Sequence, residues 1–220
     1  MMLVICISTS PIAVTPFRYS KREAHKGVGW SLEQVAGRLV EISGAGATAS
    51  LTLAFGLVLQ AQRQNEPVAW ITRDDSLFYP PDAAEGGVDL DALVIVRVSD
   101  DRAVARAADQ LIRSGAFGLV VLDLGTKPDV PAPLQIRLAG LAHKHQTALL
   151  CLTAKGDEVP SLGPLVSLRV TARRERLADD LSACDAQAGR FACGLTVLKD
   201  KRRGPTWRHM EVCCGPAGLR

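Results

Sequence analysis

The stretch that most constrains this chain is Val40-Glu41-Ile42-Ser43-Gly44-Ala45-Gly46-Ala47-Thr48-Ala49-Ser50-Leu51-Thr52-Leu53. An apolar strand enters a small-residue turn and then a helix, the layout in which backbone N–H groups and a helix N-terminus cradle phosphates. Laid from Gly44, the spacing G-x-x-x-x-G-K-[ST] finds Ala49 for the second glycine, Ser50 for the lysine and Leu51 for the hydroxyl. In a working site the lysine neutralises the β- and γ-phosphates and the hydroxyl holds the bridging metal. Ser50 and Leu51 supply neither. A small-residue turn joining a buried strand to a helix is the competing reading.

The rest of the chain alternates between strand and helix patterns as far as Thr153. Leu3–Ile7 reads as a short strand, and the basic stretch from Thr15 to Lys26 as a linker. Strands are expected at Leu39–Ile42, Pro67–Thr72, Leu93–Val98, Leu119–Leu122 and Ala148–Thr153. Helices are expected at Ala49–Gln62, Asp101–Ser114 and Leu134–His145, the second capped by Asp100 or Asp101 and closed by Gly115. Ser167–Thr171, Cys193–Leu198 and Trp207–Val212 then follow as strands without intervening helices. The pattern predicts a mainly parallel central sheet flanked by helices, with antiparallel strands at its C-terminal edge.

Asp74 follows the second core strand and Asp123 closes the fourth, where α/β sheets gather ligands. The crossover rule places both near the Gly44–Ser50 loop. An acid ending a buried parallel strand can deliver a carboxylate to a phosphate-bound metal, and it serves equally well as a turn or cap residue.

With a formal net charge of +3 over 220 residues, any electrostatic case for nucleic acid rests on local clusters. One contains Arg169, Arg173, Arg174 and Arg176, the other Lys199, Lys201, Arg202 and Arg203. Such runs are solvated strand ends, partner surfaces or phosphate contacts for single-stranded DNA. Only Trp207 lies near the second cluster, which disfavours stacking on bases. The six cysteines form no C-x-x-C pair, His143 and His145 read as surface residues, and no metal site is expected. Without a basic segment ahead of the apolar Met1–Ile7, no secretory signal or membrane association is expected, and the expected location is cytoplasmic.

Several blocks resemble RecA recombinases in order and spacing. They are Gly37-Arg38-Leu39-Val40-Glu41-Ile42-Ser43-Gly44, Gly87-Val88-Asp89-Leu90-Asp91-Ala92-Leu93, Arg113-Ser114-Gly115-Ala116, Leu119-Val120-Val121-Leu122-Asp123, Ala148–Thr153, Val166-Ser167-Leu168-Arg169-Val170 and Leu198-Lys199-Asp200-Lys201. The resemblance implies a RecA-like core over 31–212, with an N-terminal strand and basic linker at 1–30 and a flexible tail at 213–220. Asp74 matches the family's catalytic glutamate, and the two DNA-binding loops are shortened to Gly125–Pro133 and Gly156–Gly163.

The lost lysine and the lysine-rich late strand make the chain similar to ImuA proteins, RecA-like members of a damage-induced mutagenesis cassette. That similarity implies a non-catalytic accessory role in translesion synthesis during the SOS response, with no cofactor. The implied partners are RecA, an ImuB-type pseudo-polymerase and an error-prone replicative-type polymerase. A single-stranded DNA-binding module using the two basic clusters is the alternative. ATP hydrolysis would require a lysine from elsewhere, such as Lys127 or Lys155.

Overall fold

Parallel strands need a crossover between them, and in this chain helices on both faces of one sheet supply it. The computed structural model describes residues 3–5, 29–46, 48–74, 76, 83–84, 86–176 and 190–214. Its strands are β1 (Leu3–Ile5), β2 (Leu39–Ser43), β3 (Val68–Arg73), β4 (Leu93–Val98), β5 (Leu119–Gly125), β6 (Ala148–Thr153), β7 (Leu168–Arg176), β8 (Arg190–Asp200) and β9 (Arg208–Cys214). Its helices are α1 (Leu32–Val35), α2 (Ser50–Arg63), α3 (Asp101–Arg113) and α4 (Ala132–His145).

The nine strands form one sheet in the order β1-β4-β3-β5-β6-β2-β7-β8-β9. Strands β2 to β7 are mutually parallel, while β8 runs against β7, β9 against β8 and β1 against β4. The fold class therefore matches the one read from the sequence. No helix among the described residues is long and apolar enough to cross a membrane.

Alternation along the strands divides the core between two faces. Val40, Ile42, Trp70, Val121 and Leu150 pack with Leu53, Leu57 and Val58 of α2. Leu39, Ile71, Val120, Leu122 and Leu149 pack with Val104, Ala108 and Ile112 of α3 and Leu138 of α4. Each layer thus covers a sheet face whose strands are buried on both sides, which is why β2 and β6 have no exposed position. Asp100 caps α3, its Oδ1 accepting from the Ala103 amide at 2.8 Å.

Helix α1 is an addition to the expected elements. Its four residues are held from outside: the Leu32 amide donates to Gln60 Oε1 at 3.0 Å, and the Trp30 indole donates to the Leu53 carbonyl at 3.1 Å. Helices this short do not stand on propensity. Strands β7, β8 and β9 also run longer than expected, and Cys213 and Cys214 belong to β9 rather than to a tail. The basic linker and positions 215–220 lie outside the described residues.

A buried ion pair fixes the amino end of the sheet. Arg38, 4% exposed, places Nη2 2.6 Å from Asp200 Oδ1 and donates to the Ser167 carbonyl and Oγ at 2.8 and 2.9 Å. Asp200 also accepts from the Trp207 indole at 3.0 Å and the Arg202 amide at 2.9 Å. Burial alone would raise the Asp200 pKa, but the Trp207, Arg202 and Arg38 donors outweigh it and hold the carboxyl below the usual range. A depressed folded pKa gives stability that is complete above the unfolded value of about 4 and lost as pH falls through the folded one. Asp200→Ala, which strands a buried guanidinium, is expected to cost about 3–5 kcal/mol in urea unfolding at pH 7. That cost should shrink as acid protonates Asp200 in the parent chain.

Candidate functional site

The loop from Gly44 to Ser50 leaves β2 at the carboxyl edge of the sheet and enters α2. Its first amide still belongs to the sheet, since Gly44 N–H donates to the Thr153 carbonyl at 3.2 Å. Beyond it the loop closes on itself. The Ser50 hydroxyl accepts from Thr48 Oγ1 at 2.8 Å, and the Ser50 amide donates to the same Thr48 oxygen at 3.2 Å. A Cβ at Gly44 would come within 2.6 Å of the Thr48 methyl, so glycine is needed there by close packing.

One amide that would face a phosphate is therefore already used. Ala49 stands at the N-cap without a side-chain hydrogen bond, and Leu51, in the hydroxyl position, is 50% exposed. The loop offers a neutral, partly apolar lip. From Gly44 to Leu51 the loop contributes no cationic side chain of its own, whereas charge-assisted contacts give phosphate sites most of their strength.

The two acids sit on other strands. Asp123 Oδ2 accepts from Ser76 Oγ at 2.7 Å and Thr72 Oγ1 at 3.2 Å, so hydroxyls already surround it. Asp74 is exposed, and its amide extends the β3–β4 ladder by donating to the Val98 carbonyl at 2.9 Å. Because β6 lies between β2 and β5, strand spacing puts the backbone of β5 roughly 10 Å and that of β3 roughly 14 Å from β2. Loop, Asp74 and Asp123 lie at the same carboxyl end of the sheet, with Asp74 at the end of β3 and Asp123 on the neighbouring strand β5.

The strongest electrostatic feature at this edge is Glu41, which the sequence reading left among apolar strand residues. It is 0% exposed. Its Oε1 lies 2.7 Å from Lys155 Nζ and accepts from Thr153 Oγ1 at 3.0 Å. Its Oε2 accepts from the Leu162 amide at 2.9 Å and lies 3.9 Å from Arg169 Nε.

Lys155 also donates to the Pro160 carbonyl at 2.7 Å, and Arg169 to the Gly156 carbonyl at 3.1 Å. Segment 154–163 is thereby tied to the sheet from beneath. Lys155 is committed to Glu41 and to this loop, which removes it as a substitute for the missing phosphate-loop lysine. The signal for this network was an acid within a parallel strand, since a buried charge demands partners. Nearby Cys151 is a core residue whose thiol is pushed up by burial and then by Glu41.

The basic clusters separate in the same way. Arg169 is 6% exposed and does not face solvent, which corrects its place in the first cluster. Arg173 is exposed and donates to Asp157 Oδ2 at 3.0 Å, while the Arg174 guanidinium sits 3.5 Å from the centre of the Phe191 ring. Arg176 lies opposite Phe191 at the far end of β7.

Lys199 and Lys201 lie at the other end of β7, where both reach the Pro164 carbonyl, at 3.5 and 2.6 Å. Burial and then Lys201 push the Lys199 ammonium down. Arg202 and Arg203 are exposed in the turn that follows. Leu168 pairs with Asp200 and Arg174 with Cys193, so the two groups are about 20 Å apart along the strand. Trp207 is half-buried against the core and donates its indole N–H to Asp200.

Comparison with known proteins places these features in context. The family described as RecA N-terminal domain matches residues 23–132. Protein RecA of Fusobacterium nucleatum is 39% identical over 87 residues, which is 40% of this chain and 23% of that protein. Protein RecA of Leifsonia xyli is 30% identical over 155 residues, covering 66% of this chain and 42% of that protein. The chain thus spans less than half the length of these curated relatives.

Lys155→Ala would leave the Glu41 carboxylate buried without its nearest cation. It is expected to destabilise the fold by about 3–5 kcal/mol. Amide exchange over 154–163 should accelerate more than exchange over β3 or β4.

Proposed function

The chain belongs to the RecA N-terminal domain family, and from that premise we propose that it is a non-catalytic, ImuA-type accessory protein of SOS-induced translesion synthesis. It works by binding partners: the RecA filament, an ImuB-type pseudo-polymerase and, through them, an error-prone replicative-type polymerase. The carrying observation is the phosphate loop. Ser50 and Leu51 replace the charged and metal-holding groups, and Thr48 occupies the Ser50 amide.

A RecA-like core without a working nucleotide site can dock on a RecA protomer at a filament end. It would offer a matching surface without continuing nucleotide-gated assembly. The consequence is inhibition or remodelling of the filament at the place where the mutagenic polymerase is needed.

A second reading, single-stranded DNA binding, is favoured by one observation. Arg202 and Arg203 are exposed beside Lys201 in a short turn. The roughly 20 Å between the two basic groups argues against one continuous groove. Asp123 is already bound by the Thr72 and Ser76 hydroxyls, which gives no added support to a metal-dependent reaction.

Co-sedimentation with RecA filaments tests the proposal, using the parent chain and one in which Lys199, Lys201, Arg202 and Arg203 are all changed to glutamate. The adaptor reading expects both to co-sediment, with less than a threefold loss of affinity in the variant and binding retained at 0.5 M salt. Abolition of binding in the variant, together with loss of salt-sensitive binding to an oligonucleotide, would transfer the function to the DNA module.

A further inference from the structure

Two segments leave the carboxyl end of the sheet side by side: 126–131, between β5 and α4, and 154–163, after the neighbouring strand β6. Their bases are joined where the Ala154 amide donates to the Gly125 carbonyl at 2.7 Å. Farther out, one side chain reaches both. Gln135, near the start of α4 and 5% exposed, donates through Nε2 to the Val130 carbonyl at 2.8 Å and to the Leu162 carbonyl at 3.0 Å. The nitrogen has two protons, and the bridge uses both.

The other half of the amide is held at a cost. Gln135 Oε1 is buried and accepts no hydrogen bond, and a stranded acceptor offsets much of what a made bond contributes. Gly163 shows the same constraint from the facing side. A Cβ there would meet the Gln135 amide first, with Oε1 at 2.1 Å, Cδ at 2.9 Å and Nε2 at 3.0 Å. Its backbone is not left-handed, so glycine is required at 163 by the seat of Gln135 rather than by its own φ. Each segment has a separate anchor as well: the Asp129 amide donates to Asp101 Oδ2 at 2.7 Å, and the Leu162 amide to Glu41 Oε2 at 2.9 Å. Those anchors tie each segment to its own neighbour, whereas Gln135 ties the segments to each other.

We propose that Gln135 is a latch that makes 126–131 and 154–163 one cooperative unit, opening and closing together before the sheet beneath them opens. Opening returns Oε1 to water, which lowers the cost of breaking two bonds at once. A contact that displaces either segment then displaces both, so this end of the sheet responds as one body whichever segment is touched. The latch goes beyond the docking reading and does not depend on it.

The test is amide hydrogen exchange by NMR on the full chain, read at Asp129 and Leu162 for the two segments and at Val121 for the sheet. Gln135→Leu removes the donors without adding charge. Gly163→Ala displaces the same amide while leaving Gln135 in the sequence. Each variant alone is expected to speed exchange at both reporters about tenfold, with Val121 unchanged. The double variant should add less than about twofold to either, because a leucine at 135 leaves no amide for the new Cβ to displace. Acceleration at one reporter only, or at neither, would overturn the proposal. So would single effects that multiply in the double variant, or an equal acceleration at Val121, which would mark Gln135 as a support of the whole fold.

Discussion

A single buried carboxylate organises the carboxyl edge of this sheet. Glu41 sits on β2 with no exposed surface, and an isolated charge in that position would cost far more than a small domain can offset. Lys155, Arg169, Thr153 and the Leu162 amide converge on it, and by doing so they fix the end of β6, the start of β7 and the loop between them. The same contacts remove both cations from anion binding at the surface. What resembles a stretch of available positive charge in the sequence is internal scaffolding.

The functional consequence lies beside this network. The Gly44–Ser50 turn keeps the strand-to-helix form of a phosphate loop, yet hydrogen bonds within the turn and an exposed Leu51 take the place of charge. Asp123 is held by two hydroxyls on its own part of the sheet. On the proposed reading, form without charge suits a surface that recognises a related core, because shape complementarity does not depend on a lysine. Among the described residues, the exposed cations of the two clusters split between the two ends of β7.

Much of this was legible in the chain. The limits of β4 and β6 coincide with their apolar runs, and the Asp100 cap and Gly115 stop of α3 follow directly from local chemistry. The replaced residues of the phosphate loop are visible in the sequence itself. Helix α1 was not legible, because its stability comes from Gln60 and from the seating of Trp30 on α2 rather than from its own four residues. The late strands were read short because Arg173, Arg174 and Arg190 suggest loops, whereas pairing with β8 and β9 extends the ladder. Arg169 and Glu41 were opaque for a related reason. Periodicity marks the faces of a strand but does not say which charge will find a partner inside.

Calorimetric titration of the chain with magnesium and ATP, followed by a hydrolysis assay on the same sample, bears most directly on the claim that the core has lost its nucleotide chemistry. The account predicts no saturable heat at millimolar nucleotide and no phosphate release above buffer. Saturable, magnesium-dependent hydrolysis that disappears in Asp123→Ala would contradict it, and would mean that a cation outside the Gly44–Ser50 loop serves the phosphates.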